Sequence, residues 1–379
     1  MSSDESASRY VRRTIQILLA ALILYVFLLG IELLGASFKL LGRSLVETLM
    51  RATSDPVVGL FLGILSTALV QSSSVTTSIT VGMVSAGALP IPNAVPIVMG
   101  ANIGTTITNS VVALSQITRT REFERALSAA VVHDLFNLLC VLVFFPLELA
   151  TGFLHRSAHA LAGVFYGSMS IHYHSPLKAI LKPIAHALKD LFTSTLGIPT
   201  KITGVSFLVI AFGLIFFSLF YFVRLMRRAV ASDVENILDR VFGRSGYIAL
   251  LAGFVITAII QSSSMTTSLL VPLVSAGLLS LEAAYPMTLG ANIGTTFTAI
   301  IAALAGNVAG LTIAFVHLLF NLCGVITFYV IKPMRKIPVS LALWFASVAI
   351  RKRWLALVYV LVLFYVIPAI YIIISRGLR

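Results

Sequence analysis

The chain has 379 residues, of which 58% are hydrophobic and only 11% are charged, and its mean hydropathy is +1.00. Soluble globular proteins carry about 25% charged residues, so the composition excludes a soluble fold and predicts an all-α polytopic membrane protein. The net charge of +13 would suggest nucleic acid as the partner of a soluble chain. Here the basic residues cluster between apolar segments, as in cytoplasmic loops, so we expect a lipid bilayer and no nucleic acid as partners.

The apolar segments form two series, which we predict to be two transport repeats. A cytoplasmic tail, residues 1–14, precedes the first repeat, residues 15–153. That repeat is predicted to contain, in order, a membrane span, an interfacial piece, a helical hairpin, an interrupted helix and a further helix: residues 15–34, 37–51, 57–89, 97–114 and 126–149.

The second series repeats this order after a polar connection. Residues 154–204 contain several prolines and are predicted as an extracytoplasmic loop with short helical pieces. The second repeat, residues 205–331, is predicted to contain the same five kinds of segment: residues 205–223, 224–244, 248–279, 285–304 and 308–331. Residues 332–379 are predicted as a basic segment and a terminal transmembrane helix.

A polar block, Gln-Ser-Ser-Ser-Val-Thr-Thr-Ser, occupies residues 71–78 inside an apolar run. The residues before it, 57–70, would reach about 21 Å as a helix, short of a hydrocarbon core of about 30 Å. Hydroxyl groups facing lipid at that depth would be costly, so we predict a re-entrant helical hairpin whose tip lines an enclosed cavity. The block returns at residues 261–268, and about half the positions are identical between residues 63–114 and 253–304. The alternative, helix packing through small residues, is disfavoured by this duplication.

A second duplicated segment, Gly-Ala-Asn-Ile-Gly-Thr-Thr, lies at residues 100–106 and 290–296. Its asparagines stand between glycines, which fits an unwound turn that exposes carbonyl groups. Glycines that only pack helices together are the alternative. Because amide, hydroxyl and carbonyl oxygens suit hard cations, we predict Asn102, Thr105 and Asn292 as sodium ligands.

Basic residues also predict the orientation of the repeats. The tail before the first span is basic, and so are residues 224–244 after the corresponding span of the second half. Placing both in the cytoplasm requires the two spans to run in opposite directions. We therefore predict inverted-topology repeats, as in many secondary transporters, and a cytoplasmic N-terminus.

The hairpin tips offer hydroxyls, amides and the backbone N–H groups of half-helix N-termini, which favour anions. Neither block contains Lys or Arg, so a multiply charged anion needs cations from elsewhere. Sodium held by Gln, Ser, Thr and Asn oxygens would supply that charge and couple the sodium gradient to anion binding. A membrane serine hydrolase is the alternative class, but neither block fits Gly-x-Ser-x-Gly.

Asp134 is an acid inside an apolar helix, and Leu318 stands at its position in the second repeat. A carboxylate at membrane depth is costly unless it is paired, so such a residue is a functional candidate. The alternative is a structural ion pair with His133 or with a loop arginine.

Together these motifs resemble the type II sodium-dependent phosphate cotransporters. The resemblance rests on both Gln-Ser-Ser-Ser blocks, both Gly-Ala-Asn-Ile-Gly-Thr-Thr segments and His-Asp-Leu-Phe-Asn at residues 133–137, and it extends from about residue 28 to 364. It implies sodium-coupled symport of inorganic phosphate into the cell by a protein that is not an enzyme. No cofactor is expected besides sodium as the coupling ion. A carrier of another oxyanion, or a phosphate exporter, is the alternative.

The resemblance also implies the site residues. Phosphate is expected between the two tips, bound by Gln71, Ser72, Ser73, Ser74, Gln261, Ser262, Ser263 and Ser264. One sodium site is expected at Gln261, Ser262, Ser263, Thr295 and Thr298, and another at Gln116, Asp134 and Asn137. In this family an acid at the position of Asp134 accompanies net charge movement, so electrogenic transport is expected. The short tails predict a bacterial member in the cell (inner) membrane, as a monomer or homodimer.

Overall fold

The computed structural model describes residues 3–168, 176–241 and 245–377, which are helical almost throughout and contain no strand. The helices before residue 169 are α1 (Ser3–Leu41), α2 (Arg43–Ala52), α3 (Pro56–Val70), α4 (Ser73–Ser85), α5 (Ile91–Thr105), α6 (Ile107–Leu114), α7 (Thr120–Thr151) and α8 (Phe153–Ser168).

The remaining described residues form α9 (Pro176–Asp190), α10 (Thr200–Val241), α11 (Gly246–Ile260), α12 (Ser263–Ser275), α13 (Leu281–Leu304), α14 (Val308–Val325), α15 (Lys332–Ala349), α16 (Trp354–Leu361) and α17 (Ile367–Gly377). Short π-helical turns extend α9 and α14 and join α16 to α17: Leu191–Thr195, Ile326–Val330 and Val362–Val366.

Among the described residues, 7 helical segments are long and apolar enough to cross a membrane. They are Arg13–Leu41, Ile91–Leu114, Thr120–Thr151, Thr200–Val230, Leu281–Leu304, Val308–Val330 and Trp354–Ser375. The pair α2 and α3, bent by 97°, has the composition of a further span when taken together. The prediction of an all-α polytopic membrane protein is confirmed.

Each Gln-Ser-Ser-Ser block forms the turn between two helices. Gln71 ends α3 with φ 55°, and Gln261 ends α11 with φ 63°. They are the only non-glycine residues with positive φ in the part of the chain that the structure describes. Left-handed backbone is unfavourable by about 1 kcal/mol or more for a residue with a Cβ, so the flanking helices must hold both turns. Re-entry of the two hairpins into the membrane from one side stays a prediction.

The glycines of the duplicated segments bring helix backbones into contact. A Cβ on Gly63 would overlap the carbonyl oxygen of Ile97 in α5, and one on Gly100 would overlap a carbonyl oxygen of α3. The second half repeats this contact between α11 and α13 at Gly253 and Gly290. Small residues at such positions let two helices approach closely, so these glycines are packing residues.

The interpretation of the same segments as unwound turns is wrong. Asn102 lies within α5, and the only break there is at Thr106, just before α6. Asn292 lies within α13, which runs uninterrupted from Leu281 to Leu304. The helix is kept because the glycines face a neighbouring helix, which offsets their low intrinsic helix propensity. The predicted interrupted helix is therefore absent from the second repeat.

Helices α1 and α10 pack against each other in opposite directions. Gly30 of α1 lies against Ile215 of α10, whereas Gly204 near the start of α10 lies against Leu41 at the end of α1. An inverted duplication requires this pairing, although inversion of the complete repeats stays a prediction. The structure is also more helical than predicted between the repeats, because α8 and α9 cover most of a segment expected as a loop.

Candidate functional site

Both hairpin tips line one cavity of about 790 Å³. The tip residues in its wall are Gln71, Ser72, Ser74, Gln261, Ser262 and Ser264. Ser73 and Ser263, also predicted to bind phosphate, are buried at the first positions of α4 and α12 and do not line it. The structure therefore brings the two predicted halves of the anion site to one place.

The two tips present the same backbone groups. Ser72 precedes α4 and accepts a hydrogen bond from the Val75 amide at 3.3 Å; Ser262 does the same for the Met265 amide at 3.3 Å. The first amides of a helix have no intrahelical acceptor. After these caps, the N–H groups at the first two positions of α4 and α12 remain as donors, and the helix dipole favours an anion in front of them.

The tips also touch each other. The Ser74 hydroxyl donates to the backbone oxygen of Gln261 at 3.2 Å and lies 3.3 Å from the Thr298 hydroxyl. Thr298 in turn donates to the side-chain oxygen of Gln261 at 2.8 Å. On the opposite side, the Ser264 hydroxyl donates to the backbone oxygen of Thr105 at 3.4 Å. Each tip is thus anchored to the other half of the chain.

A buried chain of side-chain amides connects the two halves behind the tips. Asn109 lies 3.2 Å from Nδ1 of His133, whose Nε2 lies 2.7 Å from the oxygen of Asn292. Asn292 donates to Asn137 at 2.8 Å, and Asn137 donates to the backbone oxygen of Asn102 at 2.9 Å. Every contact is buried, so these hydrogen bonds hold helices of the two halves together in a low-dielectric interior.

The two histidines of the repeats occupy related positions in this network. His133 contacts Asn292 of the second half, and His317 lies 3.4 Å from the side-chain oxygen of Asn102 of the first half. Within the described ranges, no group of three or more His, Cys, Asp or Glu residues could hold a metal ion. The histidines therefore act as hydrogen-bonding residues of the core.

Asp134 is completely buried, and only one of its carboxylate oxygens has partners. Oδ2 accepts from Ser110 at 3.3 Å and from the Tyr359 hydroxyl at 3.0 Å, whereas Oδ1 has no hydrogen-bond partner. Among the described residues, no Arg, Lys or His forms an ion pair with it within 4.0 Å, so the predicted alternative of a structural ion pair with His133 or with a loop arginine is wrong. An unpaired carboxylate oxygen in a buried setting is a strong ligand for a small cation.

The residues of the two predicted sodium sites are only partly assembled. Gln261 and Thr298 are in direct contact, but Thr295 bonds back to its own helix at 3.1 Å. Ser262 caps α12, and Ser263 accepts from Thr267 through its backbone. Thr105, predicted as a separate sodium ligand, likewise bonds back to α5, at 2.9 Å.

The second predicted site is less compact. Asp134 and Asn137 both lie on α7, one turn apart, but they bond to different partners. Gln116 lies in the turn after α6 and has no hydrogen bond to either of them. The partners of Asp134 were not predicted. Ser110 could have been predicted as a partner of Asp134, because both are polar in the first repeat and both are replaced by apolar residues, Ile300 and Leu318, in the second. Tyr359 has no such signal, because it lies outside the duplicated segments.

Three arginines form part of the cavity wall: Arg224, Arg227 and Arg228. From sequence they belong to a separate interfacial piece, but α10 continues without a break from Thr200 to Val241. The helix therefore places them in the wall of the cavity that both tips share. The sequence alone could not link these arginines to the site, because it does not show that α10 is continuous. The predicted piece ends at residue 244, outside the described residues.

Comparison with known proteins gives consistent matches. A family model described as Na⁺/Pi-cotransporter matches residues 26–170 and 214–353. The chain is 33% identical over 418 residues to sodium-dependent phosphate transport protein 2A of Rattus norvegicus, covering 92% of this chain and 66% of that protein. It is 32% identical over 435 residues to sodium-dependent phosphate transport protein 2B of Homo sapiens, covering 91% of this chain and 63% of that protein. The chain spans about two thirds of the length of these relatives. No solved structure matches it.

Proposed function

Because this chain belongs to the Na⁺/Pi-cotransporter family, we propose that it is a secondary transporter that carries inorganic phosphate together with sodium into the cell. The observation that carries the proposal is the single cavity lined by both Gln-Ser-Ser-Ser tips. A transporter with inverted repeats binds its substrate between the repeats near the bilayer midplane, often at half-helix N-termini.

Phosphate is held by donors from both tips. The N–H groups at the first two positions of α4 and α12 and the hydroxyls of Ser72, Ser74, Ser262 and Ser264 supply a shell of hydrogen-bond donors. Ser73 and Ser263 support this shell from behind, because they are buried at the same helix starts. Gln71 lines the cavity with an exposed side chain and donates through its amide.

Sodium ions balance the charge of the anion. The first site is proposed around the Gln261–Thr298 contact, with Ser262, Ser263 and Thr295 reached by small side-chain rotations. The second is proposed at the unpartnered Oδ1 of Asp134, with Asn137 one turn away and Gln116 moving in from its turn. Asn102, Thr105 and Asn292 are proposed as further sodium ligands that link these sites, because their hydrogen bonds cross the repeat boundary.

Asp134 makes the cycle electrogenic in this proposal. Its carboxylate holds one additional sodium ion, and with a neutral residue there this ion would not bind and its charge would not cross the membrane. The proposed orientation places the N-terminus in the cytoplasm and the chain in the cell (inner) membrane, because the N-terminal tail and the end of α10 are both basic and lie on one side.

Radiolabelled phosphate uptake into proteoliposomes, with an inward sodium gradient or an equal potassium gradient, tests the proposal. Uptake that needs sodium and discriminates against sulfate is expected. Equal uptake in sodium-free potassium buffer, or faster sulfate than phosphate uptake, contradicts it.

Two substitutions test the shared anion site. Ser73→Leu and Ser263→Leu each place a branched apolar group at a buried helix start beside the cavity, and each is expected to reduce uptake by about 100-fold. Full activity of either variant would show that the anion does not need both tips.

A further inference from the structure

The cavity below the tips has a wall that changes from apolar to basic along one helix. In chain order along α10, the wall is lined by Phe216, Phe220 and Val223 and then by the guanidinium groups of residues 224, 227 and 228. Spacings of three and four residues place these side chains on one face of a helix. From Phe216 to Arg228 this face covers about 18 Å along the helix axis.

We call the exposed, basic part of the wall, formed by Arg224, Arg227 and Arg228, the mouth of the cavity; among the described residues, its positive charge has no matching carboxylate in the lining. None of the described residues that line the cavity is Asp or Glu, and all three arginines are exposed. The ion pairs of the described residues lie elsewhere in the molecule. An exposed guanidinium in such a cleft raises the local concentration of anions and can bind a phosphate through two parallel hydrogen bonds.

A second cavity, of about 350 Å³, differs from the first in the charges of its lining residues. It lies at the far end of α4, where Ser85 is found, and contains Lys39, Lys182 and Lys189. Glu32 lines it as well, so its charges are mixed. Because α1 and α10 are antiparallel, Arg224 lies toward the beginning of α1, whereas Lys39 lies near its end. The two cavities therefore belong to opposite ends of the helix bundle, and only one has an unbalanced arginine cluster.

We propose that Arg224, Arg227 and Arg228 form a second binding site for inorganic phosphate, separate from the tips and located at the cavity mouth. The proposal rests on the proposed function for its ligand. The tips offer donors without a fixed cation, so they need sodium, whereas the arginines carry their own charge. The mouth site therefore binds phosphate without sodium, weakly because it is exposed, and keeps the anion close to the tips as it enters or leaves.

Sodium-free equilibrium binding of radiolabelled phosphate to the purified full chain tests this site. The test variant is the triple change Arg224→Gln, Arg227→Gln and Arg228→Gln. The control variant, Lys332→Gln, Lys336→Gln and Arg351→Gln, removes the same charge from exposed positions outside the cavity. Wild type and control are expected to bind phosphate in low salt, and the test variant is expected to lose at least about tenfold in affinity. Thermal unfolding of all three shows whether each variant is folded.

Two further arms separate the possible ligands. Nanodiscs of neutral phosphatidylcholine and nanodiscs with phosphatidylglycerol are compared, because an arginine cluster could instead bind a lipid phosphate. Unchanged binding in both supports a site for free phosphate. Loss of binding only with the anionic lipid, or equal binding by wild type and test variant, overturns the proposal.

Sodium-driven uptake is measured on the same samples. Arginine-dependent binding without any sodium-driven uptake would contradict the proposed function and leave the mouth site standing. Uptake without arginine-dependent binding would contradict the mouth site and leave the proposed function standing.

Discussion

Gln71 and Gln261 occupy the same position in the two hairpins, with nearly identical left-handed backbone at φ 55°, ψ 30° and φ 63°, ψ 27°. Their side chains differ. Gln261 is 4% exposed and accepts from Thr298, whereas Gln71 is exposed in the cavity. Thr108, which stands where Thr298 stands in the other repeat, has a buried hydroxyl without a partner. Duplication has therefore kept the backbone of the two tips and allowed the side chains around it to differ.

The difference extends behind the tips. The first repeat has Asn109, Ser110 and Asp134 where the second has Ala299, Ile300 and Leu318. Within the first set, Ser110 donates to the Asp134 carboxylate, and the second set has apolar side chains at both of these positions. The proposed function therefore combines two tips of the same backbone with two unlike proposed sodium sites, and substitutions in matched pairs can test this division.

The largest effect is expected where the repeats are identical. Gly63→Val and Gly253→Val each push a side chain into a backbone oxygen of the neighbouring helix. Both are expected to destabilise the protein by about 3 kcal/mol or more, because two backbones would have to separate. Gly213→Val is the control, since that helical glycine has open space around it. Thermal unfolding in detergent measures the effect. If only one of the two repeats tolerated the valine, the two helix contacts would not be equivalent.

These glycines also show what the sequence could and could not predict. The duplication, the hairpins and the membrane spans follow from hydrophobic pattern and helix length. The continuity of α13 does not, because a Gly-Ala-Asn-Ile-Gly run has the local properties of a break. Its helix is maintained by contact with α11, where Gly253 faces the backbone of Met287 and Gly290 faces the backbone of Leu250.

The site was predictable to a similar extent. Both tips were found because their polar residues are duplicated in an apolar setting. The polar partners of Asp134 and the cavity arginines come from other parts of the chain, and α10 carries those arginines only because it continues past the predicted end of the span at residue 223. Tertiary position, which no local pattern encodes, decides these contacts.

A second prediction concerns the charge that only the first repeat carries. Asp134→Asn preserves the shape of the side chain and its contacts with Ser110 and Tyr359. Each elementary charge that crosses the membrane contributes about 2.3 kcal/mol per 100 mV. Wild-type uptake is expected to accelerate under an inside-negative potential, and the variant is expected to lose that response while keeping some sodium-dependent uptake.

Uptake against an imposed potassium diffusion potential, with a melting curve for each protein, gives the result. If Asp134 is structural only, the variant melts at lower temperature and shows no uptake. A wild type indifferent to potential would contradict electrogenic transport even if Asp134 were essential.

A third prediction compares the two glutamines. Gln261→Ala removes the acceptor of Thr298, whose hydroxyl then loses a buried partner, at a cost of about 1–3 kcal/mol. The sodium concentration for half-maximal uptake is expected to rise about tenfold. Gln71→Ala removes an exposed side chain and should change that concentration less than about twofold, with its main effect on phosphate.

Both glutamines have left-handed backbone, so each alanine variant needs a matched glycine variant that adopts this conformation without strain. Equal shifts for Ala and Gly at a position assign the effect to the lost amide. Equal sodium shifts at Gln71 and Gln261 would mean that the exposed and buried side chains do not have separate roles.

The smallest effect is expected at Tyr359, whose hydroxyl donates to Asp134 at 3.0 Å. Tyr359→Phe keeps the ring, which packs against Phe345 with centroids 4.8 Å apart, and removes only the donor. The Tyr359 hydroxyl donates to Oδ2 of Asp134, and Oδ1 stays available for the proposed sodium ion. Its loss frees the carboxylate to rotate, at a cost of about 1 kcal/mol, so half-maximal uptake should need about threefold to fivefold more sodium.

Tyr365→Phe is the matched control, because that hydroxyl, in the turn that follows α16, donates to the backbone oxygen of Ala68 at 3.3 Å and not to a carboxylate. It should leave the sodium dependence unchanged. A merely structural role for Tyr359 predicts that both variants lower the melting temperature alike and that neither alters sodium activation. A positioning role predicts a sodium shift at Tyr359 alone, with phosphate affinity at saturating sodium unchanged, because the hydroxyl of this tyrosine bonds to Asp134 and not to the tips that are proposed to bind the anion.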